Sequence, residues 1–231
     1  MLLFGPYRFG AVYKDLSRFI PGERYTLFDN RRDTVGFFAE KTENLTLRGV
    51  KQRYNKGLAF VAQICRGITV EKVEFAPAVG AAKQFASHAD FLQICMCSGT
   101  VSVTDSVFRG AGDDVINVHG THLTVSKVNG DEITLKFRHP ESSGYLPFNE
   151  GDKIEFINPR TLLTEGSAAV ASAKLKNEKT VILKLKDIKG AKKGLAVENI
   201  TLCPDFYFAR NKMSKIVTRG ILVTTRGKVV I

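Results

Sequence analysis

An apolar, Ser/Thr, apolar triplet recurs along the chain at Leu45-Thr46-Leu47, Ile68-Thr69-Val70, Val101-Ser102-Val103 and Ile200-Thr201-Leu202, and the first two begin 23 residues apart. A repeat of that size, made of short strands and turns, predicts a parallel β-helix, because each turn buries its apolar face only by stacking on the next. An aromatic residue follows the second and third triplets, Phe75 and Phe108. The interval leaves room for a second strand in each turn. Sliding the chain by 24 residues superposes Asp90 on Asp114, Leu92 on Ile116, Gln93 on Asn117 and Ile94 on Val118. Strand alternation then sends Leu92, Ile94, Ile116 and Val118 into the core and turns Gln93 and Asn117 outward. Asp90 and Asp114 stand at the entrances of neighbouring strands, about 4.8 Å apart.

The rhythm runs from about Asn44 to Gly120, stops, and is read again at Asn199-Ile200-Thr201-Leu202. The interval is far longer than one turn, so an insertion is expected. It has its own strand signals: Leu123 to Val128, the turn pair Asn129-Gly130 with type I′ chemistry, Ile133 to Phe137, Lys153 to Ile157, Ala169 to Leu175 and Val181 to Leu185. These imply a small antiparallel barrel or sandwich. The division expected is β-helix over 1–120, with the first forty residues obscure, an inserted β-domain over 121–198, and resumed β-helix over 199–231. Within the first forty, Tyr25-Thr26-Leu27-Phe28 and Thr34-Val35-Gly36-Phe37-Phe38 read as strands of a preceding turn or of a barrel. The alanine-rich stretch Ala76 to Ser87 widens the third turn and is expected to form a rim beside Asp90. Gly220-Ile221-Leu222-Val223 and Gly227-Lys228-Val229-Val230-Ile231 read as uncapped rungs, as in a chain incomplete at its ends.

Composition fits one soluble unit, with 231 residues, 44% of them hydrophobic and 25% charged. Met1-Leu2-Leu3-Phe4 is too short for a signal-peptide core, and no stretch is apolar enough to span a membrane. An exported parent, periplasmic or extracellular, would carry its signal outside this chain. Cys95 and Cys97 lie two apart, sharing a face if on one strand; with Cys65 and Cys203 they are expected to be buried thiols, since no ligand set with zinc spacing accompanies them. The net charge of +11 is concentrated between Lys174 and Lys193, where eight lysines face only Glu178 and Asp187. Lysines alternating with apolar residues describe the solvated face of a strand better than a nucleic-acid surface, and few aromatics accompany them to stack bases.

Gly112-Asp113-Asp114-Val115-Ile116-Asn117-Val118-His119-Gly120 carries the chemistry. An adjacent acid pair facing Asp90 crowds negative charge, which raises at least one pKa and supplies a proton donor beside a proton acceptor. The competing reading is a turn-capping Asp-Asp and an Asx turn at Asp90. Asn117 and His119 share the outward face with Gln93 and could bond sugar hydroxyls, or form a polar ladder. Arg219 could fork onto a carboxylate or lie solvated in a turn. His88 reads as structural.

Cys97-Ser98-Gly99, then Asp113 to Gly120, then Arg219-Gly220-Ile221-Leu222-Val223-Thr224-Thr225 with Lys228-Val229-Val230-Ile231, in that order, resemble glycoside hydrolase family 110, bacterial exo-acting α-1,3-galactosidases. The resemblance covers residues 44–231. It implies a right-handed parallel β-helix with an inserted β-domain, a substrate with terminal galactose, no cofactor or metal, and inversion at the anomeric carbon. It also implies Asp90 as general acid and Asp113 with Asp114 as the base that holds water. Two departures are expected: the chain is much shorter than family enzymes, and Asn211 to Thr218 lengthens the turn before Arg219. Two rivals are a polygalacturonase-type hydrolase, which also uses three aspartates, and a non-catalytic glycan-binding fragment.

Overall fold

A computed structural model describes residues 2, 3, 9, 10, 14, 15, 17–23, 25, 32–81 and 83–231. Two compact units emerge, residues 1–30 and 31–231. In the first, Leu2–Leu3 pairs antiparallel with Phe9–Gly10, and the Tyr25 hydroxyl accepts the Ile20 N–H at 2.6 Å. The strand expected over residues 26–28 lies outside the described residues.

The second unit is all-β, with three parallel sheets and a closed antiparallel barrel. The first sheet orders Val35–Glu40, Leu58–Gln63, Leu92–Cys95, Ile116–His119 and Ile221–Val223. The second orders Glu43–Arg48, Arg66–Glu71, Ser98–Thr104, Asp205–Ala209 and Val229–Val230. The third orders Lys51–Gln52, Glu74–Phe75, Val107–Arg109 and Lys212–Ser214. On each pass the chain visits the sheets in the same sequence, so Thr34 to Phe38 falls largely in the earliest first-sheet strand. Single left-handed residues turn the corners: Lys41, Ile64 and Met96 leave the first sheet at φ of 50°, 54° and 53°, and Lys72, Asp105 and Arg210 leave the second at 53° to 55°. One residue in that conformation reverses the side-chain alternation and bends the strand sharply.

The 24-residue register holds: Leu92 pairs with Ile116, Gln93 with Asn117 and Ile94 with Val118. Leu45, Ile68 and Val101 also align on adjacent strands. Between the sheets Phe75, Phe91 and Phe108 pack with ring centroids 5.6 to 6.0 Å apart, and Phe208 extends the stack from Phe108 at 6.5 Å. These buried rings carry much of the apolar payload of the core.

Four local expectations are corrected. Ile200-Thr201-Leu202 is not a rung: the strand stacked on Val101-Ser102-Val103 is Asp205–Ala209, where Phe206-Tyr207-Phe208 supplies the same alternation with aromatics. Asn211 to Thr218 is not merely a lengthened turn, since Lys212–Ser214 is the third-sheet strand of its pass. Cys95 and Cys97 do not share a face, because Met96 between them takes the left-handed corner. The barrel hairpin turns at Gly130-Asp131, with Asn129 paired to Glu132; a register shift between Val125 and Lys127 moves the turn by one residue, and only Gly130 has positive φ, which excludes type I′.

The barrel closes from Leu123–Asn129, Glu132–Phe137, Lys153–Ile157, Thr164–Asn177, Thr180–Lys189 and Ala196–Asn199 around a core that includes Leu123, Ile133, Phe148, Phe156 and Leu183. The eight lysines from Lys174 to Lys193 are all exposed. Among the described residues no helix is long and apolar enough to cross a membrane.

Candidate active site

Asp90 and Asp114 occupy equivalent positions on adjacent passes, each two residues before its first-sheet strand. Gly112 sets this up. A Cβ there would lie 2.2 Å from the carbonyl oxygen of His88, so only glycine lets the Gly-Asp-Asp turn press onto the pass below. The Phe91 N–H then donates to the Asp114 carbonyl at 3.0 Å, and the Asp114 N–H donates to Asp90 Oδ1 at 3.2 Å.

Asp90 and Asp114 are 4% and 1% exposed. One oxygen of each of Asp90, Asp113 and Asp114 lies within 4.8 Å of the others, close enough to converge on one cation. The spacing follows from stacking equivalent residues one strand apart. Burial pushes the Asp90 carboxyl up to about 6, with the charges of Asp113 and Asp114 adding to the rise, while the Asp114 N–H and Arg32 oppose it. Burial removes water from the ionised form, and like charges disfavour it further.

The other two acids are held by cations. Arg219 forks onto Asp114, Nε to Oδ1 at 2.9 Å and Nη2 to Oδ2 at 3.0 Å. Arg32 Nη2 reaches Asp113 Oδ2 at 2.7 Å. The Thr218 hydroxyl lies 2.8 Å from Asp113 Oδ1 and 2.7 Å from Asp114 Oδ1. A hydroxyl has one proton, so it serves one carboxylate at a time. The 17% exposure of the Asp113 side chain makes it the more open member of the pair.

Farther along the same face, Gln93 Nε2 and His119 Nε2 are 2.8 Å apart, and His119 Nδ1 is 3.0 Å from the Gly120 carbonyl. That carbonyl only accepts, so Nδ1 bears the proton and Nε2 accepts from Gln93. Burial lowers the His119 pKa, which keeps the ring neutral. Gln93 Oε1 and Asn117 Oδ1 are buried without a hydrogen-bond partner. A barrel loop anchors nearby, where the Tyr145 hydroxyl lies 2.5 Å from Thr121 Oγ1 and 3.5 Å from Cys95 Sγ.

The sequence-predicted acids therefore gather in one cluster with Arg219, while Gln93, Asn117 and His119 form a polar strip on the outward face of the same sheet. Arg32 and Thr218 were not anticipated. The first-sheet pairing of Ile116 with Ile221 sets Thr218-Arg219 over Asp113-Asp114, a signal hidden by the insertion. Arg32 comes from irregular chain and leaves no periodic trace.

Residues 132–189 match the family model described as GLAA-B beta-barrel domain II. The chain is 35% identical over 212 residues, 88% of its length, to an alpha-1,3-galactosidase A of Bacteroides thetaiotaomicron, of which it covers 37%. It is 33% identical over 91% of its length to that of Akkermansia muciniphila, covering 36%, and 35% identical over 87% to that of Streptomyces avermitilis, covering 34%. The chain thus spans little more than a third of the curated relatives it matches. Along nearly its whole length the chain is similar to part of these alpha-1,3-galactosidases, the enzymes its motifs resemble.

Proposed function

We propose that this chain carries the acid and base of a glycoside hydrolase that removes terminal α-1,3-linked galactose. Its scaffold is a right-handed parallel β-helix into which residues 121–198 are inserted as a separate β-domain. The observation that carries the reading is a buried Asp90 with its pKa raised to about 6, beside two carboxylates that arginines hold. Asp90 protonates the leaving oxygen. Asp113, the more open acid, takes the proton of the attacking water, while Asp114, held by the Arg219 fork, fixes the geometry. Gln93 Oε1 and Asn117 Oδ1, unpartnered and buried, accept hydroxyls of the sugar, and such unmet acceptors discriminate strongly for a ligand that satisfies them. Arg32 and Arg219 supply positive charge next to the acids, so the reaction needs no metal.

One observation favours a second reading. Inverting enzymes space their carboxyls about 6.5 to 9.5 Å apart and retaining enzymes about 5 to 5.5 Å, whereas the nearest oxygens here are within 4.8 Å. Asp113 as a nucleophile fits that spacing better than Asp113 as a base with water between. The family resemblance supports inversion, and inversion is the reading adopted.

The test is galactose release from α-1,3-galactobiose by this chain or by a longer protein containing it. Release is expected to persist in chelator and to fall about 10³-fold in Asp90→Asn and in Asp113→Asn. Turnover of polygalacturonate instead would transfer the site to the polygalacturonase type.

A further inference from the structure

We propose that Cys65 and Cys97 form a reversible disulfide that ties two adjacent passes of the three-sheet body together. The pair plays no part in the proposed hydrolysis. Both residues sit just past the first-sheet corner on consecutive passes. The next residues, Arg66 and Ser98, are direct partners in the second sheet, and the Ser98 N–H donates to the Cys65 carbonyl at 2.9 Å. Neighbouring parallel strands put Cα atoms about 4.8 Å apart, inside the range of about 4.4 to 6.8 Å that a disulfide spans.

Cys97 Sγ reaches toward Cys65, whose own Sγ faces the Ala39 carbonyl at 3.5 Å and turns about χ1 to meet it. The Cys65 N–H donates to Cys97 Sγ at 3.4 Å, and Cys97 Sγ reaches down to the Ala62 carbonyl at 3.6 Å, on the pass that holds Cys65. Both residues are 1% exposed and belong to one apolar cluster. The Cys97 thiol pulls the Cys65 pKa down to about 6, whereas Cys97 itself is pushed up, chiefly by its hydrogen bond to Cys65. Cys65 leads the exchange, and the product is the same if Cys97 does. Cys95 is excluded as the partner, because the corner at Met96 turns it to the other side, against Thr121 and Tyr145.

The oxidant is a small disulfide such as glutathione disulfide. The Cys65 thiolate attacks one of its sulfurs, forming a mixed disulfide and releasing one glutathione thiolate. Cys97 loses its proton and attacks the Cys65 sulfur, which forms the Cys65–Cys97 bond and releases the second glutathione. Two thiols are oxidised and one small disulfide is reduced to two thiols. Because the pair is buried, exchange occurs when this pass opens or as the chain folds, and closure then shields the bond from reductant.

The experiment refolds the full chain in a glutathione/glutathione disulfide buffer, quenches with an alkylating reagent, and maps peptides by mass spectrometry. The expected product has lost two hydrogens, links Cys65 to Cys97 with Cys95 and Cys203 alkylated, and melts several degrees above the reduced chain. Cys97→Ser should abolish the link, and Cys95→Ser should leave it intact. Four free thiols after refolding to the native state, a link through Cys95, or a linked form that melts below the reduced one would each overturn the proposal.

Discussion

The backbone N–H of Asp114 donates to Oδ1 of Asp90 across 3.2 Å, so the two acids are joined through main chain on one side and side chain on the other. The bond fixes Asp90 in orientation, but burial still outweighs it and leaves the carboxyl easier to protonate than an ordinary aspartate.

That imbalance has a consequence for stability. With its pKa raised from 3.8 to about 6, Asp90 makes the folded chain bind more protons than the unfolded one across that window. Stability should therefore fall as pH rises from about 4 to about 6 and stay lowered above it. Asp90→Asn keeps an acceptor at the same place and removes the charge. It should be more stable than the wild type at pH 7.5 by up to about 2–3 kcal/mol, and equal to it near pH 4, in urea unfolding. A loss of the same size at both pH values would refute the assignment.

Arg219→Ala strips the fork from an Asp114 carboxylate that is 1% exposed. The uncompensated charge should lower the melting temperature, by less than the loss of a fully buried pair would because Arg219 itself is half exposed. Arg219→Lys should recover only part, since an ammonium cannot bond both oxygens in one plane. Full recovery by lysine would mean that charge alone matters.

Gly112→Ala should destabilise by about 2–4 kcal/mol, because the added methyl meets the His88 carbonyl and the Asp113-Asp114 turn must lift off the pass below. Calorimetry would check this. An unchanged melting temperature would show that the turn is free to move.

Much of this was legible in the sequence and some was not, for physical reasons. The Leu92/Ile116 register was readable because a one-residue slip would turn every core side chain outward. The hairpin turn was missed by one residue because a bulge leaves no signature in composition. Ile200-Thr201-Leu202 imitated a rung because three alternating residues are too few to separate a strand from a barrel exit. Of the site, the acids announced themselves by spacing, whereas Arg32 and Thr218 meet them only through stacking across 81 and 105 residues.

The sequence predicts that residues 121–198 form a separate inserted unit, and a deletion carrying a short linker tests this. The remainder should keep one cooperative unfolding transition, at a lowered melting temperature, because the contacts of Thr121 and Tyr145 with Cys95 and the Arg226 pairing with Glu155 and Glu198 are lost. A broad, non-cooperative transition would make the barrel part of the same folding unit.

If Asp90 is the general acid, Asp90→Asn should recover most of its lost rate on an aryl galactoside with a good leaving group, which departs without protonation, and Asp113→Asn should not. Equal rescue of both variants would remove the distinction between acid and base.

The central claim is that Asp90 and Asp113 act in one displacement by water, and proton NMR of the first-formed sugar during hydrolysis of an α-1,3-galactoside tests it most directly. β-Galactose appearing first, then mutarotating, is the predicted result; α-galactose appearing first would contradict it and make Asp113 a nucleophile, as the spacing within 4.8 Å would then have signalled.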